Sequence, residues 1–276
     1  MATWLITGCS TGLGRALATA VLDHGDNAIV TARDVQKVSG FASQYPETAL
    51  ALPLDVTEAT QVWAAVSAGS DRFGGIDVLV NNAGYGYRAA VEEGDDVDVR
   101  ALFDTHFFGA VGMIKVVLPQ MRARRSGTIV NLSSIGARMT PAGSGYYSAV
   151  KSAIEGLTGS LRKELAPLGI IAMVVEPGAF RTDFFGRSLT QSATVIDDYA
   201  ETAGKRRKEN DTTDGTQPGD PAKAARAIIT AVEAPDAPEI LVLGKDAIAA
   251  YRSSLNQQTA DLTAWQNLSQ STDLDD

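Results

Sequence analysis

The first 22 residues run through a short apolar stretch, a glycine-rich turn and a helix start, and this constrains the fold more than any other feature. Trp4-Leu5-Ile6-Thr7 is long enough for a buried strand. Gly8-Cys9-Ser10-Thr11-Gly12-Leu13-Gly14 follows at once, and Arg15 to Leu22 reads as a helix, with Leu17, Val21 and Leu22 set among alanines. Glycines in such a turn let the backbone approach a pyrophosphate, and the helix N-terminus offers free N–H groups and a positive dipole end. The plain alternative is a tight strand-to-helix turn. Strand and helix on either side favour nucleotide binding.

The pattern then repeats. Ala28 to Ala32, Leu50 to Leu54, Ile76 to Val80, Thr128 to Ser134, Ile170 to Val175 and Ile240 to Leu243 read as further strands. Between them, Val62 to Phe73, Val97 to Arg122, a stretch ending near Ala166 and Pro221 to Val232 read as helices. Gly109, Gly112 and Pro119 interrupt the second of these. Strands alternating with helices predict parallel βαβ units, an α/β fold with one doubly wound sheet and helices on both faces. Ligands in such sheets bind beyond the carboxyl ends of the strands. Gly8, Arg33, Asp55 and Asn82 each fall just after a strand, so they share one edge. Arg33 stands where an acid would bond an adenine-ribose hydroxyl, and its fork of donors suits a 2′-phosphate, with Arg15 as a second candidate. This favours NADP(H) over NAD(H). The plain alternative is a surface Arg33 paired with Asp34.

Composition excludes several function classes. A formal net charge of -9 argues against nucleic-acid partners and an anionic membrane surface. Cys9 is the single cysteine, so no disulfide forms within the chain. No run reads as long and apolar enough to span a bilayer, and no basic leader precedes Trp4, so a cytoplasmic protein is expected. His24 and His106 lie far apart, with no Cys/His cluster, so no metal is expected.

The chemistry is expected in the stretch from Tyr146 to Lys151. Helical residues advance about 100° each, which puts Tyr147 and Lys151 on one face and Tyr146 away from it. A phenol in water titrates near 10, and a fixed cation one turn away favours the phenolate. An amphipathic helix with a snorkelling lysine is the bland alternative. Upstream, strand alternation allows only one of Ser133 and Ser134 to face the same site.

Taken together, these motifs resemble the short-chain dehydrogenase/reductase family. The turn from Thr7 to Gly14 resembles its TGxxxGxG, Asn81-Asn82-Ala83-Gly84 its NNAG and Tyr147 to Lys151 its YxxxK. Ser134 stands upstream of the tyrosine as in the family, and Pro177-Gly178 with Thr182 resembles its PG segment. The match runs from Thr3 to about Thr182 and more loosely to Leu243. The resemblance implies one Rossmann domain over residues 1–276, strand order 3-2-1-4-5-6-7, and a nicotinamide cofactor. Tyr147 would be the general acid for carbonyl reduction or the base for alcohol oxidation, Lys151 would bond the nicotinamide ribose, and Ser134 would hold the substrate oxygen. Gly8, Ser10, Thr11, Gly12, Leu13 and Gly14 would line the phosphates. Asp55 and Val56 would contact the adenine, and Asn82, Ala83 and Gly84 the adenosine side. Pro177, Gly178, Phe180 and Thr182 would reach the nicotinamide end. The implied activity is reduction of a ketone or aldehyde, reversible as oxidation of a secondary alcohol. A non-catalytic NADP(H)-binding regulator and an epimerase or dehydratase on the same fold are the alternatives.

His106 departs from the pattern, since it stands where the family usually carries an Asn that holds a water beside the catalytic lysine. It is entered among the catalytic candidates as a proton relay that titrates near neutral pH, against the plainer expectation of a neutral, hydrogen-bonded helical histidine. Phe180 to about Gly219 has no clear period and is expected to form a mobile lid, with Lys205-Arg206-Arg207-Lys208 as a solvated helix face. Tyr85, Tyr87, Met139, Phe180, Phe184 and Phe185 imply an apolar, aromatic substrate pocket. The tail over 245–276 reads as a helix that frays. The family's habits favour a homodimer.

Overall fold

The computed structural model describes residues 1–184, 186, 188–213 and 215–274. The chain alternates as its apolar runs dictate. β1 (Thr3–Ile6), α1 (Gly12–Asp23), β2 (Asn27–Ala32), α2 (Ser39–Gln44), β3 (Ala49–Pro53), α3 (Ala59–Phe73) and β4 (Val78–Asn81) form the first half. A short strand β5 (Gly86–Arg88), α4 (Asp96–Phe103), α5 (Gly109–Arg124), β6 (Gly127–Leu132), a turn of helix α6 (Gly136–Met139), α7 (Gly145–Leu165) and β7 (Ile170–Pro177) follow. β8 (Leu189–Gln191), α8 (Lys205–Thr213), α9 (Pro221–Glu233), β9 (Ile240–Leu243) and α10 (Lys245–Gln270) complete it. Seven strands form one sheet in the order β3-β2-β1-β4-β6-β7-β9 with every pairing parallel, so the expected doubly wound order stands once β5 and β8 are set apart.

Strand alternation feeds two cores. Trp4 and Ile6 face one side with α1 and α9, where Val21, Ile228 and Ile229 are buried. Leu5 and Ile29 face the other with α3, α5 and α7, against Val66, Val117 and Leu161. Side chains this completely buried each contribute about 1.5–3 kcal/mol, so the sheet's two faces hold the strand ends in register.

Three expectations are corrected. The long helix over Val97–Arg122 is interrupted by a π-turn at Asp104–Phe108, which carries His106. The continuous run Asp96–Arg124, 29 residues, holds an 18-residue window of mean hydropathy 1.5 and so does meet the length and composition of a bilayer span; Met113, Ile114, Val117 and Met121 on it are buried against the sheet and α3. The segment expected as a mobile lid is built and docked. β8 pairs in parallel with β5, far back in the chain, because Gly86–Arg88 offers an unpaired edge there. Glu93, 2 % exposed, anchors it by accepting from Arg207 Nη2 at 2.7 Å and from the Ile196 N–H at 2.9 Å. So Arg207 is no solvated charge, and Arg206 beside it lines the central cavity. Beyond Ser254, α10 is exposed throughout, including Leu255, Leu262, Trp265 and Leu268.

Candidate active site

The carboxyl ends of β1, β2, β4, β6 and β7 open onto one cavity of about 1060 Å³. All the catalytic and cofactor positions expected from the sequence line it, from Gly8 to Thr182. At the β1 end, Gly8 and Gly12 turn the chain through the left-handed region, with φ of 74° and 61°. The Thr11 cap makes no side-chain hydrogen bond to α1, which leaves first-turn N–H groups for a ligand. A Cβ at Gly14 would collide with Asn82 Nδ2 and the Gly8 carbonyl. Asn82 fixes the turn: its Nδ2 donates to the carbonyls of Thr7 at 2.8 Å and Gly8 at 3.0 Å, while Thr7 Oγ1 accepts from the N–H groups of Asn82 and Ala83. Both the turn and the free helix end fit a dinucleotide's phosphates.

Beside it, Arg33 is exposed at the cavity wall and forms no ion pair among the described residues. Asp34 instead turns its carboxylate to the Gln36 N–H at 3.1 Å, so the expected Arg33–Asp34 pair is absent among the described residues. Arg15 does not line the cavity; its guanidinium stacks over Phe41 at 5.1 Å.

At the far end, α7 buries Tyr147, Val150, Lys151, Ile154, Thr158, Leu161 and Leu165 at helical spacing, which turns Tyr147 and Lys151 inward together. Lys151 Nζ donates to the Leu132 carbonyl at 2.7 Å and lies 5.7 Å from the Tyr147 ring centroid. Of the two serines, Ser134 lines the site and hydrogen-bonds Tyr147, while Ser133 points away to Glu155. The tyrosine's electrostatics differ from expectation. Burial pushes its phenol up to about 12, opposed by Ser134 and by Arg88 rather than by Lys151. Burial also lowers Lys151 to about 7, with Glu155 opposing.

His106 is 6 % exposed, its Nε2 2.9 Å from the Tyr85 nitrogen and 2.8 Å from the Tyr85 oxygen, and its ring stands edge-on to Tyr147 at 5.9 Å. Burial and then the Lys151 charge hold its pKa well below the usual value, so it stays neutral and does not titrate near neutral pH. Its Nδ1 is buried without a partner. A second cavity of about 10 Å³, the size of one water, is lined by Asn81, His106 and Lys151 among others.

Tyr85, Met139, Phe180 and Phe184 line the main cavity as expected, whereas Tyr87 is buried beneath it with its Oη accepting from the Asp95 N–H. Phe185 lies outside the described residues. Sequence reasoning missed Arg88, Arg206 and Gln217, which also line the cavity. Only Arg88 had a local signal, one charge inside the otherwise apolar or small run from Tyr85 to Ala90. Sequence separation also hid a surface cluster, in which His24, Asp26 and Glu233 bring three potential ligand atoms within 4.8 Å of one another.

A cleft beyond the sheet's carboxyl edge, with a glycine turn at one end and a Ser-Tyr-Lys group at the other, defines an oxidoreductase scaffold on a doubly wound fold. The short chain dehydrogenase family matches residues 2–193, and the chain belongs to that family. It is 36 % identical over 267 residues to oxidoreductase BOA17 of Botryotinia fuckeliana, covering 96 % of this chain and 97 % of that one. It is 37 % identical over 198 residues to a 3-ketodihydrosphingosine reductase of Bacteroides thetaiotaomicron, covering 71 % of each. The crystal structure of a short-chain dehydrogenase from Streptomyces avermitilis superposes with a TM-score of 0.92 at 42 % identity, over 99 % of this chain and all of that one.

Proposed function

We propose that the protein is an NADP(H)-dependent oxidoreductase that reduces a ketone or aldehyde and, in reverse, oxidises a secondary alcohol. The observation that carries this reading is the convergence of Ser134, Tyr147 and Lys151 on the cavity that begins at the glycine turn. When bound, the nicotinamide supplies the hydride. Gly8, Ser10, Thr11, Gly12, Leu13 and Gly14 hold the phosphates, Asp55 and Val56 the adenine, Asn82, Ala83 and Gly84 the adenosine side, and Pro177, Gly178, Phe180 and Thr182 the nicotinamide end.

Tyr147 Oη donates a proton to the substrate carbonyl oxygen as negative charge develops there. A phenol pushed up to about 12 by burial keeps that proton throughout the neutral range, which suits the acid role. Ser134 Oγ, which accepts from the Gly136 N–H at 3.0 Å, keeps its own proton to donate to the same oxygen. Lys151 is positioned by the Leu132 carbonyl, and its charge lies beside the tyrosine ring. His106 stays neutral and braces the Tyr85 backbone.

Arg33, unpaired at the adenosine side, supports NADPH over NADH. A homodimer through the α4–α5 and α7 face fits the exposed Val97 and Phe108. The test is a fluorescence titration with NADPH and NADH, followed by cofactor oxidation with a panel of ketones. NADPH binding with turnover is the expected result; tight binding with no turnover of any carbonyl refutes the enzymatic reading. Arg33→Asp should weaken NADPH by about tenfold or more relative to NADH, the size of one charged contact. An unchanged ratio refutes the assignment of Arg33.

A further inference from the structure

This chain pairs its partly buried arginines with carboxylates. Arg124 meets Asp77, Arg138 meets Glu155 and Glu176, Arg162 meets Glu239, Arg206 meets Glu209, and Arg207 meets Glu93. Arg88 is the exception. It is 3 % exposed, deeper than any of these, and among the described residues no carboxylate lies within ion-pair distance. Its Nη1 donates to Ser144 Oγ at 2.6 Å. Its Nε is buried with no partner, and its Nη2 makes no hydrogen bond to a described residue. The Nε–Nη2 edge of a guanidinium is a bidentate fork that matches a carboxylate.

The surroundings place Arg88 on the substrate side of the cavity. Ser144 caps α7, three residues before Tyr147, and Arg88 is close enough to Tyr147 to act on its titration. The glycine turn lies after β1, and Arg88 lies at the β5–β8 ribbon. Two more unsatisfied groups share the cavity wall: Arg206 Nε, and both amide atoms of Gln217, which is 4 % exposed. Arg88 is eased below the usual arginine range by burial and by Arg206, to about 10, with Tyr147 and the longer-range charge of Glu209 opposing, and so remains charged at neutral pH. A buried cation with no carboxylate at ion-pair distance among the described residues is costly, and a ligand that brings the anion close lowers that cost.

We propose that Arg88 is the specificity-determining residue for an anionic carbonyl substrate, its guanidinium taking a carboxylate on the molecule whose carbonyl Tyr147 protonates. The inference rests on the carbonyl-reductase reading above. The substrate class becomes a keto acid with an apolar body. Tyr85, Met139 and Phe184 take the body and the Arg88 corner takes the charge, which narrows the purely apolar pocket expected from sequence.

The test uses the full chain saturated with NADPH, titrated with benzoylformate and benzoylpropionate, each against its methyl ester. For at least one chain length the acid should bind about tenfold or more tightly than the ester, as a charge-assisted pair requires. Arg88→Gln should abolish that preference and leave the ester's affinity within about twofold. The wild-type ratio reads the proposal without any variant, should Arg88→Gln not fold. Esters that bind as well as acids, no binding of either, or a preference that survives Arg88→Gln overturn it. So does a variant whose loss is confined to NADPH affinity, since the cofactor would then be the anion. Acid binding without NADPH oxidation leaves the anion site standing and refutes the reductase reading. Turnover of neutral ketones with acids excluded does the reverse.

Discussion

Lys151→Met tests whether the fold carries a buried, unpaired-to-acid cation for the sake of its site. Lys151 is 6 % exposed and its ammonium donates to the Leu132 carbonyl. Its pKa falls from 10.5 to about 7 on folding, with burial the main cause. A base with a lowered folded pKa binds fewer protons folded than unfolded between those two values. Stability therefore rises with pH across that window, and below it the full penalty is present. The shift of 10.5 − 7, about 3.5 units at about 1.4 kcal/mol each, sets that penalty on the order of 5 kcal/mol. The neighbours titrate elsewhere: Glu155 at about 7, Tyr147 at about 12, and His106 well below its usual value. Between about pH 8 and about pH 9.5, then, Lys151 is the group of this cluster that separates wild type from variant, and it contributes roughly 2 kcal/mol. Urea unfolding of both cofactor-free proteins across that range measures the difference. The variant should be the more stable at the lower pH, and the gap should close by roughly 2 kcal/mol at the higher. A gap constant to within about 0.5 kcal/mol would refute the buried-cation argument.

Three further outcomes follow from the site. Tyr147→Phe keeps the ring contacts to Phe184 and His106 but removes the acid. It should lower kcat by about 10²–10⁴-fold while NADPH affinity stays within about twofold, and wild-type turnover would remove Tyr147 from its role. Gly14→Ala drives a methyl into Asn82 Nδ2 and the Gly8 carbonyl, breaking the hydrogen bonds that shape the turn. The expected cost is about 2–4 kcal/mol in urea unfolding together with loss of NADPH binding, and a variant that binds NADPH normally contradicts the clamp. Glu93→Gln leaves the half-buried Arg207 without its charge partner, so the docked segment should open locally, with protease cleavage within residues 188–213 ahead of global unfolding, and an unchanged cleavage rate argues against the anchor.

The sheet was legible because each of its strands is an apolar run bounded by turn residues, and parallel strands bury both faces. The β1 edge and the Tyr147–Lys151 face follow from local periodicity alone. What stayed hidden depends on distance along the chain. Gly86–Arg88 has no strand signal, and becomes a strand only because Leu189–Gln191 comes back to pair with it. Arg207 reads as a solvated charge until Glu93 is known to lie beneath it. The π-turn at Asp104–Phe108 keeps helical periodicity on both sides, so pattern alone passes through it as plain helix.

The electrostatics were the least legible part, and the reason is general to this site. Spacing correctly paired Tyr147 with Lys151, but spacing says nothing about desolvation. Burial raises the phenol and lowers the ammonium, so both groups are driven toward their neutral forms rather than toward a phenolate–ammonium pair. The cation that does act on Tyr147 is Arg88, held on the β5–β8 ribbon and bonded to Ser144 Oγ. The arrangement therefore holds Tyr147 as an acid, and leaves Lys151 and Arg88 with no carboxylate at ion-pair distance and the His106 Nδ1 with no hydrogen-bond partner among the described residues. A site that keeps cations and donors buried at a cost to stability is one whose complement arrives with its ligands.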